Sequence, residues 1–481
     1  MQNSALIALA TRLYRFAFLP LVAVGLVAPL AAQSTIIVTL DPRSARLEPI
    51  PEDFLGMSLE MNTIEDAYNG TPWLTGAGGP YATMLKRIGV KNIRIGGNSS
   101  ERTPYATDRD AADVNDFCQL IGANLIWNLP VEANYNLTNS TAFAKTMMEH
   151  KARRGYTFST TFEIGNEPDI NGVDQPTWQT RFDAFNQSLR QQINWRVTTT
   201  GPSAAGSQSY ANDLSKDPTY AGFLHRSVGF VTQHWYPFGG ANSYGSVNDA
   251  IDAMLTSSSN AKYQKFFNGW AETATNNGFR PRMEETNSMY NGGFPGASNS
   301  FAAALWTLDY YSYFAQNTML AGINLHTGQK SSVYNPISPT GSAPSYTLNG
   351  AGYGMFAFSY NGHGRPVPVT LSNPDNVNVT VYATLERDGT ENVHVVNKTH
   401  TSTSNDVTVN VTPGHGYRRA QIMYLKQDNN DPTQSTGITL GGQPVNGDGT
   451  WSGGYTSTIT PNNGVFSISV PRTQAAIVRF Y

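Results

Sequence analysis

The chain contains 481 residues with a formal net charge of −3, and 14% of the residues are charged. This length exceeds one ordinary domain but fits a barrel of about 250 to 300 residues and a smaller module. The near-neutral charge excludes the basic face that nucleic acid or a polyanionic surface would require.

The N-terminus carries the features of a secretory signal. Arg12 and Arg15 precede an apolar run at 16–32 that ends in small residues. The run is short for a membrane span and two prolines interrupt it, which disfavours the alternative of a membrane anchor. We therefore expect residues 1–32 to be removed and the protein to be secreted, extracellular or periplasmic. Cys118 is the only cysteine, so no intramolecular disulfide can form.

Residues 51–355 alternate β-like runs with helical stretches, a pattern typical of βα units around a parallel sheet. Two helical stretches, 177–194 and 300–317, space their apolar residues so that one face should pack on the barrel. Eight strands are predicted, the number that closes a TIM barrel. They lie at 53–61, 91–98, 124–131, 159–166, 196–203, 227–238, 280–290 and 321–328.

Residues 356–481 predict a second, all-β module. Alternating runs are separated there by Gly, Asn and Asp turns, a pattern typical of an antiparallel β-sandwich. The segment 33–50 contains a run with the same alternation, so we expect it to add an N-terminal strand to that sandwich. The glycine-rich run at 350–354 lacks the preceding strand and the spacing of a dinucleotide-binding loop. The predicted fold class is α/β, a (β/α)8 barrel followed by a C-terminal β-sandwich.

The segment 158–169, FSTTFEIGNEPD, carries the strongest chemical signal. It places a carboxylate, Glu167, beside an amide, Asn166, at the end of the fourth predicted strand, and catalytic groups of such barrels lie at the C-terminal ends of the strands. Cleavage of a glycosidic bond uses one carboxylic acid to protonate the leaving oxygen and a second carboxylate opposite it. The chain should therefore contain a partner for Glu167.

The best candidates for this partner are Glu284 and Glu285, in RMEETNSMYNGG at the end of the seventh predicted strand. Strand alternation sends neighbouring side chains to opposite faces, so only one of the two can point into the mouth of the barrel. Periodicity alone does not choose between them. Glu163, four residues before Glu167, is predicted to be a structural carboxylate paired inside the barrel.

The segments FEIGNEP and EETNSMYNGG, in this order and at these strand positions, resemble the two catalytic motifs of glycoside hydrolase family 79. This is the β-glucuronidase and heparanase family of clan A. The resemblance implies a barrel with a β-sandwich built from both termini. It also implies that Glu167 is the general acid/base, that Glu285 is the nucleophile and that Asn166 holds the sugar 2-hydroxyl.

The same resemblance implies a set of substrate-binding residues. Tyr290 and the backbone around Asn291 and Gly292 resemble the site that receives the substrate carboxylate, where N–H and O–H donors suit a negative group. The family usually has Gly where this chain has Asn291. Arg94 resembles the clan's buried arginine, which holds the nucleophile ionised. The other matching positions are Glu60, Asn98, Ser99, Tyr236 and Tyr334.

His234 and His326 lie at strand ends, but no carboxylate or second His follows either of them at metal-ligand spacing. We therefore predict hydrogen-bonding roles for both, and neither a metal nor a cofactor.

The resemblance implies a retaining exo-β-glucuronidase that removes terminal glucuronic acid or its 4-O-methyl form from a glycan. A heparanase-like endo enzyme is the first alternative, but it would need basic residues along the groove, and the loops contain no Lys/Arg cluster. A neutral-sugar glycosidase of the same clan is the second. A non-catalytic carbohydrate-binding protein is the third, and the two retained carboxylates argue against it. We expect a monomer without nucleic-acid or membrane partners.

Overall fold

The computed structural model describes residues 33–65, 67–68, 71–102, 105–221, 227–317, 319–340, 345–401 and 406–481. The predicted signal segment 1–32 lies outside these ranges. Within them, no helix has both the length and the apolar character that a bilayer span requires.

Eight parallel strands close into a barrel, and all eight had been predicted. Each strand pairs with the next along the chain, and the eighth pairs with the first. Most of their residues are buried, because side chains fill the interior while helices cover the outside. The barrel strands are, in order, Leu55–Glu60, Asn92–Gly96, Asn124–Leu129, Thr160–Ile164, Thr198–Ala204, Val228–Trp235, Pro281–Thr286 and Gly322–Thr327.

Helices alternate with these strands. The two stretches predicted at 177–194 and 300–317 are the helices Gln175–Gln192 and Phe301–Ala315, and Trp178 and Phe182 of the first are fully buried. The other α-helices are Met61–Glu65, Pro80–Arg87, Ser99–Arg102, Asp108–Ile121, Leu137–Arg153, Ser209–Lys216, Val247–Leu255, Ser259–Asn268, Ala271–Asn276 and Gly350–Asn361, and the 3-10 helices are Pro42–Ser44 and Ala241–Ser243.

The glycine-rich run at 350–354 begins the last helix, Gly350–Asn361. A Cβ at Gly350 would lie 2.0 Å from the carbonyl oxygen of Ser300, and a Cβ at Gly354 would lie 2.4 Å from that of Ala304. The run therefore allows two helices to pack with their backbones in close approach. The helix crosses the predicted boundary between residues 355 and 356, and the division into barrel and sandwich remains a prediction.

The C-terminal strands and one N-terminal strand form two sheets with an apolar core that includes Val38, Val409 and Val478. The N-terminal strand, Ser34–Leu40, runs parallel to Val407–Thr412 and antiparallel to Val369–Ser372. The first sheet has the order Val369–Ser372, Ser34–Leu40, Val407–Thr412 and Phe466–Val470. The second has the order Arg365–Val367, Val379–Leu385, Glu391–Asn397, Gln474–Phe480, Ala420–Gln427 and Ile438–Leu440, with Ser457–Ile459 also paired to Ala420–Gln427. Two short hairpins are Ala67–Tyr68 with Thr71–Pro72 and Ile337–Thr340 with Ser345–Leu348.

Candidate active site

Glu167 lies just beyond the fourth barrel strand, in a backbone conformation that residues other than glycine rarely adopt. Its φ is 49°, in the left-handed region that costs a non-glycine residue about 1–2 kcal/mol. Backbone hydrogen bonds hold this turn: the N–H of Glu167 donates to the carbonyl oxygen of Ser203 at 3.0 Å, and the N–H groups of Ile170 and Asn171 each donate to that of Glu167 at 3.2 Å. Such strain is typical of functional positions. Here the turn fixes a carboxyl that is only 6% exposed.

Glu285 lies near the end of the seventh strand and is held at both carboxylate oxygens. The Arg94 guanidinium donates to its Oε2 at 2.6 Å, and the Tyr236 hydroxyl donates to its Oε1 at 2.8 Å. Arg94 also forks onto the buried Glu163 at 2.8 and 2.9 Å. Glu163 is therefore paired inside the barrel, as predicted from the sequence.

At this end of the seventh strand, neighbouring side chains do not point to alternate faces of the sheet. The pairing register with the sixth strand shifts between Met283 and Glu285, and a bulge of this kind can re-aim a side chain. Glu284 consequently also turns into the barrel, where its carboxyl accepts hydrogen bonds from the hydroxyls of Thr200 and Ser203 at 3.0 and 3.3 Å. It is fully buried and does not line the cavity, whereas Glu285 does. Only one of the two carboxylates thus points into the mouth, as predicted.

His234 lies between the two candidate catalytic carboxyls. Its Nδ1 is 3.2 Å from Glu167 Oε1 and 4.0 Å from Glu285 Oε2. One carboxylate oxygen of Glu167 and one of Glu285 lie within 4.8 Å of each other and of the imidazole. These three groups have the spacing of metal ligands, but the Arg94 guanidinium already donates to Glu285 and would repel a cation at this point.

The surroundings shift the pKa values of the two carboxyls in opposite directions. Burial raises the pKa of Glu285, but His326, His234 and Arg94 outweigh it and lower the pKa to about 2. Burial raises the pKa of Glu167, and the nearby negative charge of Glu285 adds to this rise, against the hydrogen bond from His234. Glu285 therefore ionises at a lower pH than Glu167.

His234 carries a positive charge in this arrangement. Burial lowers its pKa, but the charge of Glu285 and the nearby carboxylates of Glu163, at 3.6 Å, and Glu167, at 3.2 Å, outweigh burial and raise the pKa to about 9. An imidazolium at this position would donate its Nδ1–H to Glu167 Oε1, 3.2 Å away, and would leave the second oxygen of Glu167 available for a proton.

A cavity of about 910 Å³ opens above these carboxyls. It brings together most of the residues that the sequence had nominated, although they come from six separate barrel strands or the loops that follow them. The nominated residues that line it are Glu60, Asn98, Glu167, Tyr236, Glu285, Tyr290, Asn291, Gly292 and Tyr334.

Ser99, Asn166 and Arg94 lie behind this lining. The N–H and the hydroxyl of Ser99 both donate to Glu60 Oε2, at 2.9 and 2.5 Å, so Ser99 orients a lining carboxylate. The amide oxygen of Asn166 accepts from Arg94 at 2.8 Å, and its amide nitrogen points to Asn98 at 3.4 Å. Arg94 therefore connects Asn166, Glu163 and Glu285 through one guanidinium.

Sequence reasoning did not include His326 in the site, yet His326 lines the cavity. Its Nδ1 is 2.9 Å from the Ser58 hydroxyl and 3.6 Å from Glu285 Oε2, and its Nε2 is 3.5 Å from Glu60 Oε1. Its position near the end of the eighth strand is the sequence feature that could have identified it as a site residue. Together with His234 it confirms the predicted hydrogen-bonding role of the two histidines.

Comparison with known proteins gives two sequence matches. Residues 381–477 match the glycosyl hydrolase family 79 C-terminal beta domain. A β-glucuronidase of Aspergillus niger (strain ATCC MYA-4892 / CBS 513.88 / FGSC A1513) is 30% identical over 195 residues, which cover 37% of this chain and 35% of that protein. The aligned segment thus spans about a third of the relative's length.

Solved structures share the fold. A GH51 arabinofuranosidase from Xanthomonas axonopodis pv. citri superposes with a TM-score of 0.69 at 13% identity, covering 93% of this chain and 100% of the other. A 4-O-α-L-rhamnosyl-β-D-glucuronidase from Fusarium oxysporum 12S superposes with a TM-score of 0.68 at 17% identity, covering 92% and 99%. The match in the sandwich and the similarity to the Aspergillus protein support the resemblance to glycoside hydrolase family 79.

Proposed function

We propose that the protein is a retaining exo-β-glucuronidase, with Glu285 as nucleophile and Glu167 as general acid/base. The observation that carries this proposal is the pair of carboxylate oxygens within 4.8 Å of each other. Retaining glycosidases hold their carboxyl groups about 5 to 5.5 Å apart, whereas inverting ones leave about 6.5 to 9.5 Å for a water. Carboxylate oxygens within 4.8 Å of each other fit the shorter of these two spacings, which favours double displacement.

The proposed reaction has two steps. In the first, ionised Glu285 attacks the anomeric carbon, the bond to the leaving oxygen breaks, and protonated Glu167 transfers its proton to that oxygen. In the second, Glu167 removes a proton from water, the water oxygen attacks the anomeric carbon, and the bond to Glu285 breaks. Two inversions give net retention. The pKa lowered at Glu285 and raised at Glu167 supplies the starting protonation states.

The turn after the seventh strand suits the carboxylate of a glucuronic acid. Asn291, Gly292 and Gly293 have φ of 56°, 87° and 90°, so three successive residues lie in the left-handed region. Such turns can aim backbone N–H groups at an anion. Tyr290 is 44% exposed at the same rim and adds a phenolic donor. The names of the Aspergillus and Fusarium proteins, both glucuronidases, favour the same sugar.

Exo action is favoured by a bridge at one end of the cavity. Asn62 Nδ2 donates to Gln329 Oε1 at 3.3 Å, and Gln329 Nε2 donates to Asn62 Oδ1 at 3.4 Å. Asn62 follows the first barrel strand and Gln329 follows the eighth. The eighth strand lies on the opposite side of the barrel from the fourth strand, and Glu167 follows the fourth. The bridge therefore stands on the side away from the leaving group, where an endo enzyme would need an open groove.

An aryl glycoside panel tests the proposal against its alternatives. We expect turnover of aryl β-glucuronide and little or none of aryl β-glucoside or arabinofuranoside. Preference for a neutral glycoside would favour a neutral-sugar enzyme. Cleavage of internal bonds in a glucuronic-acid polysaccharide would favour endo action. Binding of glycan without cleavage of any aryl glycoside, from acid to neutral pH, would favour a carbohydrate-binding protein. A Glu285→Ala variant with near-normal turnover would contradict the assigned nucleophile.

A further inference from the structure

Ile170 is an exposed apolar side chain at the rim of the catalytic cavity. It is 59% exposed and lines the cavity, three residues after Glu167. Scattered exposed apolar residues are common on protein surfaces, but this one lies beside a carboxyl that would protonate a leaving group. Its backbone N–H donates to the carbonyl oxygen of Glu167, so it is tied to the turn that fixes this carboxyl.

The Asp169 side chain ties the loop beneath Ile170 to a neighbouring loop. The Asp169 carboxylate accepts three backbone N–H groups, from Ala205 at 3.0 Å, Gly206 at 2.7 Å and Ser207 at 2.6 Å. This clasp joins the loop after the fourth strand to the loop after the fifth. A Cβ on Gly206 would lie 3.2 Å from a methyl group of Ile170. Ile170 therefore packs against the backbone at Gly206 and presents an apolar surface to the cavity.

The chemistry of cleavage tells which part of the substrate meets this surface. The nucleophile attacks one face of the anomeric carbon, and the leaving group departs from the other, next to the general acid. If Glu285 and Glu167 have the roles proposed above, the leaving group extends past Glu167 towards Ile170 and Ala205. Trp235 also lines the cavity and stacks on Phe266 with ring centroids 4.2 Å apart.

We propose that Ile170, resting on the Asp169-clasped loop 205–207, forms the leaving-group subsite and selects an uncharged leaving group with an apolar face. An aromatic aglycone or the apolar face of a pyranose has this chemistry. The described residues that line the cavity include no Lys or Arg, so a sulfated leaving group would find no counter-charge there. The inference rests on the proposed glucuronidase function and adds to it the class of leaving group.

The test compares two substrates that differ only in the leaving group, an aryl β-glucuronide and methyl β-glucuronide. Replacing Ile170 by Ser removes most of the apolar contact while keeping the backbone turn. We expect kcat/KM for the aryl substrate to fall roughly tenfold, the usual scale for losing a few apolar contacts in a pocket. The value for the methyl substrate should stay within about twofold, because methyl does not reach the subsite. Ile170→Val should keep most of the aryl activity.

The matched control is Met319→Ser, which changes another exposed apolar residue. Met319 is 47% exposed and precedes the eighth strand, at the opposite end of the barrel from the cavity. It should leave both substrates unchanged. Equal losses on both substrates in Ile170→Ser, or no loss on the aryl substrate, would overturn the subsite. Wild-type protein that cleaves neither glucuronide would instead overturn the proposed function, and the subsite with it.

Discussion

Arg94 and Glu285 are joined by a hydrogen bond of 2.6 Å from Nη1 to Oε2 at the centre of the barrel. The same guanidinium serves Glu163 and the amide oxygen of Asn166. Only the planar fork of an arginine can donate in these directions at once. The charge state of the candidate nucleophile therefore depends on a side chain from the second strand.

An Arg94→Lys variant tests this dependence. Lysine keeps the charge but loses the fork, so Glu285 or Glu163 loses its partner inside the barrel. We expect kcat/KM to fall about 100-fold or more, with the acidic limb of its pH profile moved to higher pH because the pKa of Glu285 rises. Arg109→Lys, on an 85% exposed side chain, is the control. An unchanged acidic limb would show that Arg94 does not hold Glu285 ionised.

His234 should set both limbs of the pH profile. Its charge lowers the pKa of Glu285, and its hydrogen bond lowers the pKa of Glu167. Glutamine removes the charge and leaves only a weaker, neutral donor, so His234→Gln should move the acidic and the alkaline limbs of kcat/KM to higher pH. His150→Gln, on a histidine that pairs with Asp116 near the surface, should move neither. A shift of the two limbs in opposite directions would contradict this role.

Glu284 should lower the stability of the protein as the pH rises. Burial raises its pKa well above the usual value, and the charge of Glu163 adds to the rise. Above the unfolded pKa near 4.5 the folded state holds a proton that the unfolded state releases, so stability falls with increasing pH. Glu284→Gln is isosteric and has no proton to lose, and its amide oxygen can accept from one of the Thr200 and Ser203 hydroxyls while its amide nitrogen donates to the other. We expect it to unfold at higher denaturant concentration than wild type.

The pH dependence of the stability difference between Glu284→Gln and wild type tests whether Glu284 has a raised pKa. The gain in unfolding free energy should be small at pH 4 and on the order of 1–3 kcal/mol at pH 8, from urea melts of both proteins. Activity on aryl β-glucuronide should survive, because Glu284 does not line the cavity. Loss of all turnover would instead make Glu284 the better candidate for the nucleophile.

Asn291 allows a charge test of the proposed carboxylate site. Asn291→Asp keeps nearly the same size and tolerates the left-handed φ of 56°, but it places a negative charge at the turn. We expect kcat/KM for aryl β-glucuronide to fall at least about tenfold through like-charge repulsion. Any residual activity on the neutral glucoside should not fall. Asn463→Asp is the control, because Asn463 has a φ of 49° in a turn of the sandwich. Equal losses of activity on the glucuronide and the glucoside in Asn291→Asp would argue against binding of the substrate carboxylate at the Asn291 turn.

The sequence predicted the eight barrel strands because alternating βα units leave a regular pattern. It nominated Glu167 and Glu285 because both stand in recognisable motifs near strand ends. The inward turn of Glu284 could not be predicted, since it depends on a register shift against the sixth strand that period-two alternation cannot encode.

The remaining contacts of the site depend on three-dimensional proximity. His326 reaches Glu60 and Glu285 from the eighth strand, and Asp169 clasps backbone groups 36 to 38 residues away. Neither residue belongs to a motif that marks such contacts. Gly350 and Gly354 show the same limit. Their role in helix packing depends on contacts with Ser300 and Ala304, which the local sequence around the glycines does not indicate.

The stereochemistry of hydrolysis tests the central claim most directly. Proton NMR of an aryl β-glucuronide during the first turnovers distinguishes the anomers of the released sugar before mutarotation mixes them. Double displacement at Glu285 with Glu167 as acid/base predicts that β-glucuronic acid appears first and the α anomer only later. The α anomer as the first product would mean inversion by a direct water attack and would contradict the account.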